Sequence, residues 1–209
     1  GFLVEPISVS EKALELARAS RSTFTWRPET ALVLGNGPLG LLTVAMLAPE
    51  FDVYCLGRRD RPDPSIDLIE DLGATYVDSR ETPVDAVARV HEPMDLVYEA
   101  TGYAKHAVES VDALAPNGVA ALLGVPEDWT FTVDGGHFHR ELVTTNKALV
   151  GSVNAGPRHF HAAVDRLASL PDWFFEDYVT DVAPVDRFET ALDPDATMKT
   201  AVEFERVVE

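Results

Sequence analysis

A glycine-rich turn near the start of the chain restricts its fold more than any other feature. Residues 31–40 read Ala-Leu-Val-Leu-Gly-Asn-Gly-Pro-Leu-Gly, so three glycines follow a short apolar run at the G-x-G-x-x-G spacing, and an apolar helical segment begins at once. At this spacing the first glycine permits a tight turn, the second lets the backbone approach a pyrophosphate, and the third lets the helix pack against the strand. The stretch predicts a dinucleotide site in which Gly35 forms the tight turn, Gly37 approaches the pyrophosphate and Gly40 packs the helix on the strand.

Strand-like and helix-like segments alternate along most of the chain. Strands are predicted at residues 31–34, 52–56, 75–77, 95–99, 119–123 and 147–154, and helices at 7–19, 38–48, 65–72, 83–90, 105–114, 135–145 and 159–170. Ser8 and Glu11 have capping-box spacing in the first helix, and Pro-Asn-Gly at 116–118 predicts a turn. The alternation predicts an α/β fold with a doubly wound parallel sheet (Rossmann), in which ligands lie outside the carboxyl ends of the strands.

The pattern changes after residue 156. The aromatic cluster Trp173-Phe174-Phe175 is predicted to be a core or an interface patch, residues 182–192 a loop with a short helix, and residues 199–204 a closing strand. This part of the chain does not continue the strand and helix alternation.

The end of the second predicted strand bears on the choice of cofactor. An acidic residue at this position binds the ribose 2′-hydroxyl of NAD, but here Gly57 stands in its place and Arg58 and Arg59 follow. Guanidinium groups suit a 2′-phosphate, so the sequence predicts a preference for NADP. Two alternatives stay open: the arginines form an exposed basic turn, or Asp60 binds the ribose of NAD.

The charge balance excludes several partners. Aspartate and glutamate number 35 against 17 lysines and arginines, which gives a net charge of −18. Nucleic acid and anionic membranes both require a positive surface, so neither is expected as a partner, and no apolar run is long enough to span a bilayer. The acid excess indicates either a protein from a high-salt source or simply an acidic cytoplasmic protein. The single cysteine, Cys55, excludes an internal disulfide and favours a reducing, cytoplasmic location.

Three further sets of residues resemble catalytic or metal-binding groups. The pairs His137 and His139, and His159 and His161, point to different sides of a helix, so surface or capping roles are favoured over metal chelation. Cys55 lies on a strand and is predicted to be a buried apolar residue rather than a nucleophile. The Tyr-x-x-x-Lys pair of short-chain dehydrogenases is absent from the sequence.

The order of these motifs resembles the medium-chain, zinc-dependent dehydrogenases, and within them the archaeal glucose dehydrogenases, particularly those of halophiles. The resemblance is carried by Val-Glu-Pro at 4–6, the glycine turn, Gly-Arg-Arg at 57–59, Glu-Ala-Thr-Gly at 99–102, Leu-Gly-Val at 123–125, Gly-Ser-Val-Asn at 151–154 and the tail from 188 to 204. Residues 55–63 are its most specific segment.

The resemblance implies roles for particular residues. It implies pyrophosphate contacts at residues 36–39, 2′-phosphate contacts at Arg58 and Arg59, and further cofactor contacts at Ala100, Thr101, Leu123, Gly124, Val125, Ser152, Val153 and Asn154. Glu5 matches a carboxylate near the catalytic zinc and the sugar, and Asn154 a residue near the reacting carbon. The implied activity is oxidation of β-D-glucose at C1 to gluconolactone, with zinc polarising the hydroxyl and hydride passing to NADP, or to NAD less readily. The family also implies a homo-oligomer, a dimer or a tetramer.

The sequence departs from the family at its start. Family members have an N-terminal catalytic domain that supplies the remaining zinc ligands, and these 209 residues are expected to lack that domain. The expected organisation is a linking segment and helix at 1–27, an NADP-binding domain at 28–156, and a C-terminal segment at 157–209 that returns to the absent catalytic domain. These 209 residues are expected to bind NADP without oxidising glucose. Two alternatives remain, a dehydrogenase for another aldose, polyol or alcohol, and a non-catalytic NADPH-sensing domain.

Overall fold

A single parallel sheet organises the chain. The computed structural model describes residues 1–192 and 198–204, so the 157–209 segment and the 188–204 tail lie partly outside the described residues. The sheet has six strands in the order β3-β2-β1-β4-β5-β6, and every neighbouring pair is parallel. The strands are β1 (Thr30–Leu34), β2 (Asp52–Gly57), β3 (Thr75–Asp78), β4 (Met94–Glu99), β5 (Leu114–Leu122) and β6 (Ala148–Gly151). The predicted doubly wound fold is confirmed.

Eight α-helices connect or flank the strands in the described part of the chain. They are α1 (Val4–Ser20), α2 (Pro38–Leu47), α3 (Pro64–Asp71), α4 (Val87–Val90), α5 (Ala104–Ala113), α6 (Gly135–Thr144), α7 (Pro157–Ser169) and α8 (Asp172–Tyr178). The helix predicted at 83–90 is divided, because a 3₁₀ turn at Val84–Ala86 precedes α4. Helix α1 packs on α7 and α2, and its inner face joins the main core.

The first helix begins earlier than the sequence predicted. Helix α1 starts at Val4, so Ser8 lies inside it and donates a 2.6 Å hydrogen bond to the Glu5 carbonyl instead of capping the helix. The predicted capping box with Glu11 is therefore wrong. Pro6 does not prevent the earlier start, because an N–H in the first turn would have no intrahelical partner in any case.

The glycine turn brings β1 and α2 into direct contact. Gly35 has a φ of +107°, in the left-handed region that favours glycine, and a Cβ on Gly40 would lie 1.8 Å from the Gly35 carbonyl oxygen. Helix α2 is buried from Gly40 to Leu47, so the turn is fixed against the centre of the core. The strand, turn and helix therefore form one rigid unit.

The turn predicted at residues 116–118 lies within β5 as a bulge. Met94 of β4 pairs with Leu114, whereas Leu96 pairs with Val119, and Asn117 has a φ of +67°. The residues of β5 between these two pairs are not paired with β4, and the hydrogen-bonded ladder resumes after the turn.

The C-terminal part adds a strand that the sequence did not reveal. Residues Val179–Pro184 form β7, which pairs in parallel with β8 (Lys199–Glu203) in a separate two-stranded sheet. A 3₁₀ segment at Val185–Leu192 follows β7. Phe174 and Tyr178 of α8 are fully buried in the main core and stack on each other, so the core interpretation of the aromatic cluster holds for Phe174. Among the described residues, none of the helices has the length and apolar character that crossing a membrane requires.

Candidate dinucleotide site

The residues predicted to bind a cofactor come together at the carboxyl edge of the sheet. Four backbone hydrogen bonds join the ends of neighbouring strands along this edge. Each runs from an N–H group to a carbonyl oxygen: Gly35 to Leu56 at 2.8 Å, Ala100 to Leu34 at 3.1 Å, Leu123 to Glu99 at 2.9 Å, and Ser152 to Leu122 at 3.0 Å. These bonds extend the parallel ladders beyond the strands, so the turns after β1, β2, β4, β5 and β6 form one continuous surface.

The glycine turn presents the start of α2 to this surface. Gly37 precedes the helix, and a Cβ added there would meet nothing within 4 Å, so the space in front of the turn is open. Asn36 donates a 2.8 Å hydrogen bond from Nδ2 to the Ser65 hydroxyl at the start of α3. Tyr178 donates a 2.9 Å hydrogen bond to the Pro38 carbonyl from the opposite side. The turn is held by its neighbours, and because the first N–H groups of a helix have no intrahelical partner, the open start of α2 is suited to an anion.

A groove of about 560 Å³ runs beside this turn, between the ends of β1, β2, β3 and β4. Its lining residues include Arg58 and Arg80. Arg59 is exposed next to Arg58, and its backbone N–H and carbonyl both bond to the Tyr76 hydroxyl, at 2.8 and 3.1 Å. The groove therefore offers positive charge at the end of β2, where the ribose of a bound dinucleotide lies in this fold.

Asp60, the acidic alternative at the end of β2, is paired with an arginine. Its Oδ1 lies 2.6 Å from Nη2 of Arg80, whose guanidinium also bonds to both oxygens of Asp78. The guanidinium of Arg80 holds the pKa of Asp60 below its usual range and lowers that of Asp78 to about 2. Both carboxylates are thus ionised and engaged by Arg80.

A buried carboxylate shapes the turn after β4. Glu99 is 3% exposed and accepts hydrogen bonds from the Thr101 N–H at 2.8 Å, the Gly102 N–H at 3.1 Å and the Thr101 hydroxyl. Burial alone would raise the pKa of Glu99, but the ring of His106, with Nδ1 3.9 Å away, and the bonds from Thr101 outweigh it, so this pKa lies below its ordinary value. The ionised carboxylate of Glu99 therefore holds Ala100 and Thr101 beside the glycine turn.

The ends of β5 and β6 are more open. Val125 is 86% exposed and Val153 67% exposed, Leu123 and Gly124 are half-buried, and Asn154 is exposed with a φ of +60°. Ser152 is half-buried overall, yet its hydroxyl oxygen is buried and has no hydrogen-bond partner among the described residues. Lys12 of α1 reaches across and donates a 2.7 Å bond to the Val153 carbonyl.

Glu5 lies in the first turn of α1, the helix that contacts β6. Its carboxylate is exposed, and no hydrogen bond or ion pair of that group is found within residues 1–192 and 198–204. No group of three or more His, Cys, Asp or Glu side chains that could hold a metal ion exists in the described part of the chain. The structure therefore does not assemble a complete metal site around Glu5.

The other candidate groups have structural roles. His159 is buried, accepts a 2.9 Å bond from the Gly156 N–H at the start of α7, and contacts Glu15, while His137 bonds to Asp112 at 2.6 Å. Cys55 is fully buried, and burial raises the pKa of its thiol to about 12. The interpretations of His159 as a capping residue, of His137 as a surface residue and of Cys55 as a buried apolar residue are confirmed.

Several residues at this edge escaped the sequence-based reasoning. Arg80 and Ser79 follow β3 and line the groove with His106, Glu99 supports the turn after β4, and Lys12 reaches the end of β6. The position of β3 beside β2 could have directed attention to residues 78–80, because parallel neighbours end at the same edge. Nothing in the sequence signals the contact of Lys12.

Comparison with known proteins relates the chain to sugar dehydrogenases. Residues 1–204 match the family described as glucose dehydrogenase C-terminus. The chain is 62% identical to glucose 1-dehydrogenase 1 of Haloterrigena turkmenica, over 99% of this chain and 60% of that protein. It is 63% identical to glucose 1-dehydrogenase of Haloferax mediterranei, over 99% of this chain and 59% of that protein.

Solved structures agree with these relationships. The structure described as Haloferax mediterranei glucose dehydrogenase in complex with NADP, Zn and gluconolactone matches with a TM-score of 0.96 at 63% identity, over 99% of this chain and 59% of that one. The 2R,3R-butanediol dehydrogenase of Bacillus subtilis, at 21% identity and a TM-score of 0.75, shares the fold. The chain spans about 60% of the length of the curated relatives it matches.

Proposed function

The chain belongs to the glucose dehydrogenase C-terminus family, and on that basis we propose that it is the cofactor-binding part of an NADP-preferring glucose 1-dehydrogenase. The whole protein would oxidise β-D-glucose at C1 to D-glucono-1,5-lactone, with NAD as the poorer acceptor. The relatives named glucose 1-dehydrogenase, and the matching complex with NADP, Zn and gluconolactone, support this proposal.

The diphosphate would lie over the glycine turn. The space beside Gly37 at the start of α2 is open, and an anion there would be stabilised by the helix dipole and by hydrogen bonds from the backbone. The residues we assign to this contact are Gly35, Asn36, Gly37, Pro38 and Leu39.

The 2′-phosphate would meet the arginines after β2, and the groove wall formed by Arg58 is the observation that carries the cofactor assignment. Gly57 leaves no carboxylate at the position that would bind a ribose diol, and Arg59 adds a second exposed guanidinium. Asp60 does not take over that role, because Arg80 engages its carboxylate. The part of the site at the end of β2 would therefore favour NADP over NAD.

The nicotinamide would lie over the ends of β4, β5 and β6. Bound NADP supplies the hydride acceptor. The turn fixed by Glu99 would support one side of the ring through Ala100 and Thr101, and the buried hydroxyl of Ser152 has an unused hydrogen-bonding capacity that a polar cofactor group would fill. Further contacts are assigned to Leu123, Gly124, Val125, Val153 and Asn154.

Substrate-side roles are assigned to Glu5 and Asn154. Both are exposed, on α1 and just after β6, two elements that contact each other, so they can contribute to one surface beside the nicotinamide. Glu5 is proposed as this chain's contribution to zinc binding. The described residues do not provide the remaining ligands of a zinc ion, so no step of the reaction is assigned to zinc here.

The assembly and the organisation of the whole protein are also proposals. Residues 1–27 would link to a catalytic domain, 28–156 would bind NADP, and 157–209 would return to that domain. Strand β6 ends the sheet with an unpaired edge in the described part of the chain, and its apolar residues are half-buried, which supports pairing with a second copy in a dimer or tetramer. The single buried cysteine is compatible with a cytoplasmic location.

Cofactor titration tests the proposal. Reduced NADP and reduced NAD are titrated into the whole protein by isothermal calorimetry, in concentrated salt because the net charge of −18 favours screening. NADPH is expected to bind more tightly, and Arg58→Asp is expected to narrow or reverse that difference by weakening NADPH binding about a hundredfold. Equal affinities for the two cofactors would refute the NADP assignment.

Substrate oxidation tests the remainder of the proposal. The whole protein should reduce NADP with glucose faster than with other aldoses, polyols or simple alcohols. A faster rate with one of those compounds would reassign the substrate, and cofactor binding without turnover of any of them would favour a sensing role.

A further inference from the structure

Arg80 occupies a position between the cofactor groove and two acidic side chains. It follows β3, lines the groove together with Arg58, and has a side chain that is 40% exposed. Its Nε contacts both oxygens of Asp78, at 2.9 and 3.1 Å, and its Nη2 lies 2.6 Å from Asp78 Oδ2 and 2.6 Å from Asp60 Oδ1. One guanidinium therefore bridges two carboxylates at the ends of β2 and β3.

These two carboxylates would otherwise oppose the proposed cofactor. An ionised carboxylate can only accept hydrogen bonds, as can a phosphate, so the two repel each other and compete for the same donors. A free carboxylate at the end of β2 is also the group that binds the ribose hydroxyls of NAD. Asp60 is 83% exposed and lies directly after Arg58 and Arg59, so it could adopt that role if it were not paired.

The bridge formed by Arg80 determines which charged side chains at the ends of β2 and β3 remain available to a ligand. Arg80 bridges Asp60 and Asp78, and Arg61, the fourth arginine at the ends of β2 and β3, is paired with Glu70. Arg58 and Arg59 therefore remain for a ligand, since neither of their guanidinium groups forms an ion pair within the described part of the chain. Without Arg80, the same two arginines would face two unpaired carboxylates.

We propose that Arg80 is a specificity-determining residue that keeps Asp60 and Asp78 away from the adenosine ribose, so that the site selects a 2′-phosphate over a 2′-hydroxyl. The inference depends on the proposed NADP function and extends it. Arg80 acts through the two aspartates rather than as a phosphate ligand, which separates its role from that of Arg58.

Substitution of Arg80 gives the primary test. Arg80→Met retains most of the aliphatic stem and removes the charge, and Arg80→Lys retains the charge without a planar group that can bridge two carboxylates. In calorimetric titrations of the whole protein, Arg80→Met is expected to weaken NADPH binding by about tenfold and to strengthen NADH binding by about threefold. The affinities of Arg80→Lys for NADPH and NADH should lie between those of Arg80→Met and those of the unsubstituted protein. Thermal unfolding checks that each variant is folded.

A triple variant distinguishes pairing from direct phosphate contact. With Asp60→Asn and Asp78→Asn added to Arg80→Met, no carboxylate remains to be neutralised, so NADPH affinity should return to within about threefold of the unsubstituted protein. Arg89→Met is the matched control, since Arg89 is exposed on α4 and has no ion pair in the described structure; it should leave both affinities unchanged.

The inference is overturned if Arg80→Met leaves the ratio of the two affinities unchanged, or if the triple variant binds NADPH as weakly as Arg80→Met does. Failure of the proposed function has a different signature, because the unsubstituted protein would then bind NADPH no more tightly than NADH.

Discussion

The two halves of the sheet edge differ in how completely their polar groups are paired. In the arginine half, formed by the ends of β1, β2 and β3, Asn36 bonds to Ser65, Arg80 bonds to Asp60 and Asp78, and the Tyr76 hydroxyl holds the backbone of Arg59. In the open half, formed by the ends of β5 and β6, two valines are exposed and the buried Ser152 hydroxyl has no partner among the described residues. The arginine half is therefore positioned for a ligand by contacts within this chain. The open half presents polar groups whose hydrogen bonds a ligand would complete.

The largest effect is expected at the glycine turn, on which both halves depend. A Cβ at Gly40 would lie 1.8 Å from the Gly35 carbonyl oxygen, which is backbone and cannot move without displacing α2 from β1. Gly40→Ala should lower the free energy of unfolding by about 3 kcal/mol and abolish NADPH binding. Chemical denaturation and calorimetry provide the two measurements.

Gly37→Ala is the matched control for the turn. A Cβ there meets nothing within 4 Å, so stability should change by less than about 1 kcal/mol, while NADPH binding weakens because the methyl group occupies the space proposed for the diphosphate. Equal losses of stability in the two alanine variants would contradict the packing argument.

The next effect is expected at Glu99, between the two halves. Glu99→Gln replaces an acceptor oxygen with an amide nitrogen, so one of the donors from Thr101 and Gly102 loses its partner in a buried site. The free energy of unfolding should fall by about 2 kcal/mol at neutral pH. NADPH binding should weaken as well, because the turn beside Gly35 is no longer held.

The effect of Glu99 should depend on pH. Because its pKa is lower in the folded protein, Glu99 contributes stability that is fully present above its unfolded pKa of about 4.3 and is lost as the pH falls through the folded pKa. The difference in unfolding free energy between the unsubstituted protein and Glu99→Gln should therefore shrink in acid. A difference that stays constant as the solution is acidified would show that the charge of Glu99 is not what stabilises the turn.

The smallest effect is expected in the open half. Lys12→Met removes the 2.7 Å bond to the Val153 carbonyl, an exposed contact, so stability should change by less than about 0.5 kcal/mol. NADPH affinity, set mainly by the arginine half, should stay the same, while the turnover number of the whole protein falls about threefold because residues 152–154 are less well positioned. Arg89→Met is again the control, and a changed NADPH affinity in Lys12→Met would contradict the division into two halves.

The sequence predicted the arginine half better than the other features of the site. The glycine spacing, the apolar β1 and the arginines after β2 are local signals, so the fold and the turn could be predicted, and Arg58 proposed as a cofactor contact, from short stretches. Arg80 is 22 positions after Arg58 and meets Asp60 only because β3 lies beside β2, a relation that requires the strand order.

The missed helix start and the missed strand have similar explanations. Ser8 and Glu11 satisfy the local capping pattern, but Val4–Glu5–Pro6 can continue the helix, and packing of Leu3 and Ile7 in the core favours the longer form. Strand β7 pairs with β8, which lies 20 residues further along the chain at the Val179 and Lys199 pair. The mostly exposed residues of β7 give no alternating apolar pattern. Contacts between distant segments decided both outcomes.

A structure of the protein crystallised with NADP tests the central claim most directly. The account predicts that the diphosphate lies over the turn from Gly35 to Leu39 at the start of α2, with the 2′-phosphate bonded to Arg58 and with Arg80 still paired with Asp60 and Asp78. A diphosphate placed away from the turn, or a ribose bonded to Asp60 with Arg58 directed elsewhere, would contradict it.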